Sequence, residues 1–155
     1  ETKTTRVDLA NRSKARTKEH FEINGLTPEA HSIIVEDVFN YFSYAVRKQL
    51  KFDVVILDPP SFARSKKRTF SVFKDYTALL EQAIAITEVG GNILASTNYS
   101  NGDMKWFKSC VQKAFAHTGK RYDIEAAYTL PDDFRVDGGF REGDYLKVLF
   151  IRVVK

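Results

Sequence analysis

The chain has 155 residues, 43% of them hydrophobic and 28% charged, and a formal net charge of +4. That length fits one domain with its own core, spanning residues 1–155, and the basic excess favours an anionic partner. A single cysteine, Cys110, excludes an internal disulfide and suits a reducing, cytoplasmic setting, and no apolar run approaches the roughly 18 residues of a membrane helix.

Thr4 to Leu9 is a short strand-compatible run ending in Asp8. Arg12 to Asn24 predicts a helix with a charged, solvated face, stopped by Gly25. His31 to Val35 reads as a strand, with Glu36-Asp37 at its end, and Phe39, Phe42, Val46 and Leu50 then recur at helical spacing. Phe52 to Leu57 contains four consecutive large apolar residues and predicts a strand buried on both faces. Asp58-Pro59-Pro60-Ser61-Phe62 follows it. The two prolines forbid further ladder bonding, so the motif predicts a carboxylate held rigidly at a strand end.

Ser61 to Lys74 reads as a basic, polar loop, and Asp75 to Thr87 as a helix with Leu79, Leu80, Ala83 and Ile84 inward. Gly90-Gly91 predicts a turn into the strand Asn92–Ser96. Asp103 is placed to cap a helix running to about Thr118, with Gly119 ending it. Two last strands, Tyr122 to Leu130 and Tyr145 to Val153, have no helix between them. The alternation predicts an α/β domain with a mostly parallel sheet whose final strand inserts antiparallel.

Asp8, Asp37 and Asp58 each end a predicted strand. In a parallel sheet all three carboxylates share the edge where ligands bind in open α/β folds. The first can accept from ribose hydroxyls, the second from an adenine amino group, and Asp58 would face the reacting centre. For any one of them, a helix cap is the plain alternative. Three in series with a double proline favour a nucleotide-type site.

Thr5 to Ser13, Glu36-Asp37-Val38-Phe39, Phe52 to Phe62 and Gly90-Gly91-Asn92-Ile93-Leu94, in that order and spacing, resemble the class I S-adenosylmethionine-dependent methyltransferases. More narrowly they are similar to the bacterial 23S ribosomal RNA large-subunit methyltransferase I group. The resemblance implies a Rossmann-like domain, S-adenosylmethionine as cofactor, and RNA, in particular ribosomal RNA, as partner. It implies that Asp8 contacts the cofactor ribose, with Leu9 also in the cofactor site, and that Asp37 with Val38 contacts the adenine. Asp58, Pro59 and Pro60 would line the target-base pocket, with Asp58 also beside the cofactor.

The chain departs from that pattern at its front. No strand with a Gly-x-Gly turn precedes Asp8, and the first residues, Glu1-Thr2-Lys3, are neither an initiator methionine nor a signal peptide. The expectation is a truncated domain lacking its first strand and glycine-rich turn. Either preceding residues of the full protein or a second copy, in a homodimer, would then repair the sheet. A second departure concerns chemistry. Methylation at carbon 5 of cytosine needs a thiolate, and Cys110 falls on the apolar face of its helix beside Trp106, Phe107 and Val111. A nitrogen target suits these residues better.

Arg64, Lys66, Lys67 and Arg68 follow the Asp58 motif among Phe62, Phe70, Phe73 and Tyr76. Basic groups interleaved with aromatics suit phosphate neutralisation and base stacking on unpaired RNA. Thr97 and Asn98 could bond a base edge or could form a polar strand-to-helix turn. Phe140 and Arg141 are secondary candidates. His20, His31 and His117 are scattered without partners at ligand spacing, so no metal site is expected. Two readings compete with methyl transfer: a non-catalytic Rossmann-like module that binds RNA or a partner chain, and a dehydrogenase-like domain using the same Asp8.

Overall fold

The computed structural model describes residues 3–64 and 69–155. The chain divides into two compact units, Glu1–Lys48 and Gln49–Lys155.

In the smaller unit, β1 (Thr5–Asp8) pairs in parallel with β2 (Ser32–Val35), Asp8 standing opposite Val35. The crossover between them is α1 (Asn11–Ile23), and α2 (Val38–Arg47) follows β2. Gly25, at φ 69°, closes α1: its N–H donates to the Glu22 carbonyl at 3.0 Å while the Leu26 N–H reaches Phe21 at 2.8 Å. In α2 the buried residues are Tyr41, Phe42 and Ala45. Val46 and Leu50, which shared the expected apolar spacing, are exposed.

The larger unit is a four-stranded sheet in the order β3 (Phe52–Leu57), β6 (Thr87–Thr97), β8 (Lys147–Val154), β7 (Arg121–Tyr128). β3 and β6 are parallel, and β8 inserts antiparallel between β6 and β7, as the missing helix before it required. Helices α3 (Val72–Ile86) and α4 (Met104–Thr118) pack on each other and on this sheet. The covered face is a row through three strands: Val55 and Leu57, Ile93 and Ala95, Leu149 and Ile151. With Tyr76, Phe107 and Phe115 from the helices these form the core. Each large side chain there contributes about 1.5–3 kcal/mol by leaving water.

Four expectations are corrected. β3 is buried on one face only, that of Val55 and Leu57, on the side where α3 packs: Val54 and Ile56 on the other face are 56% and 66% exposed. Ser61 to Lys74 is not a plain loop. It contains β4 (Phe62–Arg64) and β5 (Thr69–Ser71), an antiparallel pair. Phe70, buried on β5 and paired with Ala63, supplies the apolar anchor that a solvated loop would lack. α3 starts at Val72 rather than Asp75, whose Oδ2 reaches back to accept the Ser71 N–H at 2.7 Å. Finally, Gly90-Gly91 is not a turn before β6 but an irregularity within it, where the register against β3 shifts between Phe52 and Val54. A Cβ on Gly91 would lie 2.8 Å from the Asp53 carbonyl oxygen, so the close strand approach demands glycine.

Candidate active site

Asp8 ends β1 and Asp37 follows β2, so parallel pairing brings both to the carboxyl edge of the smaller unit's sheet. The Asp8 Oδ1 accepts the Ala10 N–H at 2.9 Å. That bond holds the carboxyl below its usual range; partial burial opposes the shift, and the Ser13 hydroxyl and the Arg6 guanidinium add to it. Asp8 is therefore a firm carboxylate at neutral pH, with Oδ2 3.7 Å from Arg6. Leu9 beside it is 55% exposed. Asp37 is the N-cap of α2, its Oδ1 accepting from Phe39 N at 2.9 Å and Asn40 N at 3.4 Å, and Val38 is the first helical residue. The helix-cap alternative is thus realised at Asp37, while Oδ2 stays outside the cap.

In the larger unit, Asp58 leaves the carboxyl end of β3 and is exposed. The Ser96 hydroxyl donates to its Oδ1 at 2.6 Å, with the Leu57 carbonyl a second acceptor at 3.2 Å. Ser96 is itself tied down, because the buried Tyr76 hydroxyl donates to its carbonyl at 2.9 Å. One carboxylate oxygen of Asp58 is thereby anchored. Pro59 is half-buried and Pro60 exposed.

Ser61 donates to the Asn98 Oδ1 at 2.7 Å. This bond joins the double-proline loop to the end of β6 and orients the amide, so that its NH₂ remains as a donor. A fixed acceptor and a fixed donor on one sheet edge can read the hydrogen-bonding edge of a base. Thr97 has a different place: it is fully buried, and its Oγ1 accepts the Tyr99 N–H at 3.2 Å, so its side chain serves the turn. Phe62 is 62% exposed on β4, and Arg64 is exposed at the end of the same strand. Lys66, Lys67 and Arg68 lie outside the described residues.

Cys110 is buried, and burial raises its thiol above the ordinary value, against weaker lowering by Thr77 and Lys113. It has neither the exposure nor the ionisation of a nucleophile. Among the described residues no group of three or more His, Cys, Asp or Glu could hold a metal ion, and no helix is long and apolar enough to cross a membrane.

Sequence reasoning missed Ser96, Tyr76 and Lys147. Lys147 is 5% exposed and donates to the Tyr99 and Tyr145 carbonyls at 3.0 Å each; burial lowers its pKa, with Asp144 and Asp103 opposing. Only the pairing of Leu57 with Ala95 could have put Ser96 beside Asp58.

No protein-family model matches the chain. A Bacillus subtilis protein named as a ribosomal RNA large subunit methyltransferase, YwbD, is 57% identical over 150 residues, which are 97% of this chain and 38% of that protein. A solved methyltransferase in complex with S-adenosylhomocysteine superposes with a TM-score of 0.86 at 43% identity, over 96% of this chain and 38% of that one. The fold is that of a class I S-adenosylmethionine-dependent methyltransferase. Within that class the chain is similar to the bacterial large-subunit methyltransferase I group: the Aeromonas salmonicida protein of that name is 29% identical over 94% of this chain and 37% of its own length. The chain therefore spans less than two fifths of the length of these methyltransferase relatives.

Proposed function

We propose that the protein transfers a methyl group from S-adenosylmethionine to a base of RNA, with 23S ribosomal RNA as substrate and the cytoplasm as its setting. The observation that carries the reading is the Asp58 carboxylate, held by Ser96 at a strand's carboxyl end, in a chain similar to named ribosomal RNA methyltransferases.

The donor set fits the cofactor. Asp8, kept ionised by the Ala10 N–H, suits the two hydroxyls of a ribose, and the outer oxygen of Asp37 suits an adenine amino group. Bound S-adenosylmethionine would supply an electrophilic methyl carried on a sulfonium. Against it, Asp58 would accept the N–H of the target nitrogen and Asn98 would donate to a neighbouring acceptor on the base. With the methyl donor bound, Asp58 would take up the proton that the target nitrogen gives up on methylation, and Asn98 would hold the base in register. Cys110, buried on its helix, is no candidate for attack on a pyrimidine ring, and the reading takes a nitrogen as target. The reading assigns Asp8 and Asp37 to the adenosine and Asp58 to the target base, and it includes a strand that completes the sheet, from elsewhere in the full chain or from a second copy in a homodimer.

The test uses the full-length protein. Calorimetric titration should show binding of S-adenosylmethionine and none of NAD, and labelled methyl groups should appear in a purified 23S nucleoside. No methyl-donor binding would reject the enzyme and leave the non-catalytic reading; a methylated carbon 5 would reject the nitrogen target. The measured mass of the particle separates monomer from homodimer.

A further inference from the structure

Three aromatic rings stand beside the Asp58 network and take no part in it. Phe73, in the first turn of α3, is 58% exposed. Its ring stacks on Trp106 at 6.3 Å and 13°, and Tyr99 lies 6.1 Å from Phe73 and 5.4 Å from Trp106. The group is built rather than incidental. Trp106 lies over Gly102, where a Cβ would meet the indole at 2.4 Å, so a side chain there would lift the ring. The Tyr99 backbone is fixed at both ends, its N–H by Thr97 and its carbonyl by the buried Lys147.

The position is equally constrained. Tyr99 follows Asn98 directly, and the Val72 N–H, one residue before Phe73, donates to the Ser61 carbonyl at 3.0 Å. The rings are thus anchored to the same two loops that carry Asp58, Ser61 and Asn98. Lys74 and Lys105, next in sequence to Phe73 and Trp106, are exposed. An exposed phenylalanine beside a fixed stack, bordered by cations and adjoining a base-reading carboxylate, matches what an unpaired strand needs: a π-face for the base and positive charge for the phosphate.

We infer that Phe73, Tyr99 and Trp106 form a stacking ledge for an unpaired nucleobase next to the one that Asp58 addresses, an inference that rests on the RNA reading above. The enzyme then takes its target from a splayed single strand, and the ledge is tolerant of base identity because every base has a π-face.

The full-length protein is titrated with a dodecamer of oligoadenylate, comparing wild type with F73A, F73L and F73W. Folding is checked by circular dichroism, and S-adenosylmethionine affinity should be equal in all four. F73A and F73L should weaken oligoadenylate binding about 5- to 100-fold, and F73W should restore it. Indole quenching on binding, measured against W106F, should report the stack directly. Wild-type affinity in F73A, or in F73L, overturns the ledge even where the protein methylates RNA. Weakened binding in both with rescue by F73W, in a protein that methylates no RNA, keeps the ledge and removes the methyltransferase reading.

Discussion

In the smaller unit Asp8 is held by a backbone N–H two residues on and Asp37 by N–H groups two and three residues on, whereas in the larger unit Asp58 is held by a hydroxyl 38 residues away. The same contrast extends outward. Ser61 reaches Asn98 across 37 residues, Tyr76 reaches Ser96 across 20, and Lys147 reaches Tyr99 across 48. The smaller unit presents its carboxylates through turns that form as soon as the chain bends. The larger one presents its carboxylate only when β3, β6 and β8 are paired in register. The carboxylates proposed for the cofactor are therefore locally determined, and the one proposed for the base depends on the packed sheet.

Substitutions can break this contrast. The largest effect is expected at Asp58. D58N in the full-length protein should slow methyl transfer on the order of 100-fold while leaving S-adenosylmethionine affinity nearly unchanged. Lost cofactor binding would instead place Asp58 with the cofactor group. D8N comes next. The amide can still accept the Ala10 N–H, so the turn survives, but the charge is gone. Charge-assisted hydrogen bonds of about 1.5–3 kcal/mol imply cofactor affinity roughly 10- to 100-fold weaker by calorimetry. Equal affinity would exclude Asp8 from the ribose.

Ser96 sharpens the comparison. S96A frees the anchored oxygen of Asp58. The turnover rate should fall about 5-fold, with KM for the cofactor unchanged and about 1 kcal/mol of stability lost. A shift in cofactor KM with constant turnover would contradict the positioning role.

The smallest effect concerns Tyr76. Burial raises its phenol far above the ordinary value, so it stays neutral in the folded protein while the unfolded chain ionises above about pH 10. Its contribution is complete below that pH and is lost as pH rises past it. Y76F should cost about 1 kcal/mol near pH 8, through the lost bond to Ser96, and should lose less stability than wild type between pH 10 and 11 in denaturant melts. Parallel alkaline limbs would remove Tyr76 as their source.

Legibility followed the same division. Strand-ending aspartates, the Asp103 cap and the Gly25 and Gly119 stops were readable, because each depends on one residue's own backbone preference and its near neighbours. The β4–β5 pair was missed because its polar and basic residues mask a ladder anchored by Phe70 alone. Four apolar residues in β3 suggested two buried faces, since composition does not say how many faces are covered. Ser96 was legible as a strand residue but not as the holder of Asp58.

By itself the sequence determined the alternation of strands and helices, the antiparallel last strand, and the placement of Asp8, Asp37 and Asp58 at strand ends. Those follow from short-range chemistry: apolar periodicity, proline's missing donor and glycine's freedom at positive φ. Only the tertiary structure decided that Ser96 and Tyr76 lie behind Asp58, that Ser61 orients Asn98, and that Phe73, Tyr99 and Trp106 meet as one ledge. All of these but the Tyr99–Trp106 contact join residues 20 or more apart in the chain, and no local preference specifies such a meeting until the strands pair and the helices pack.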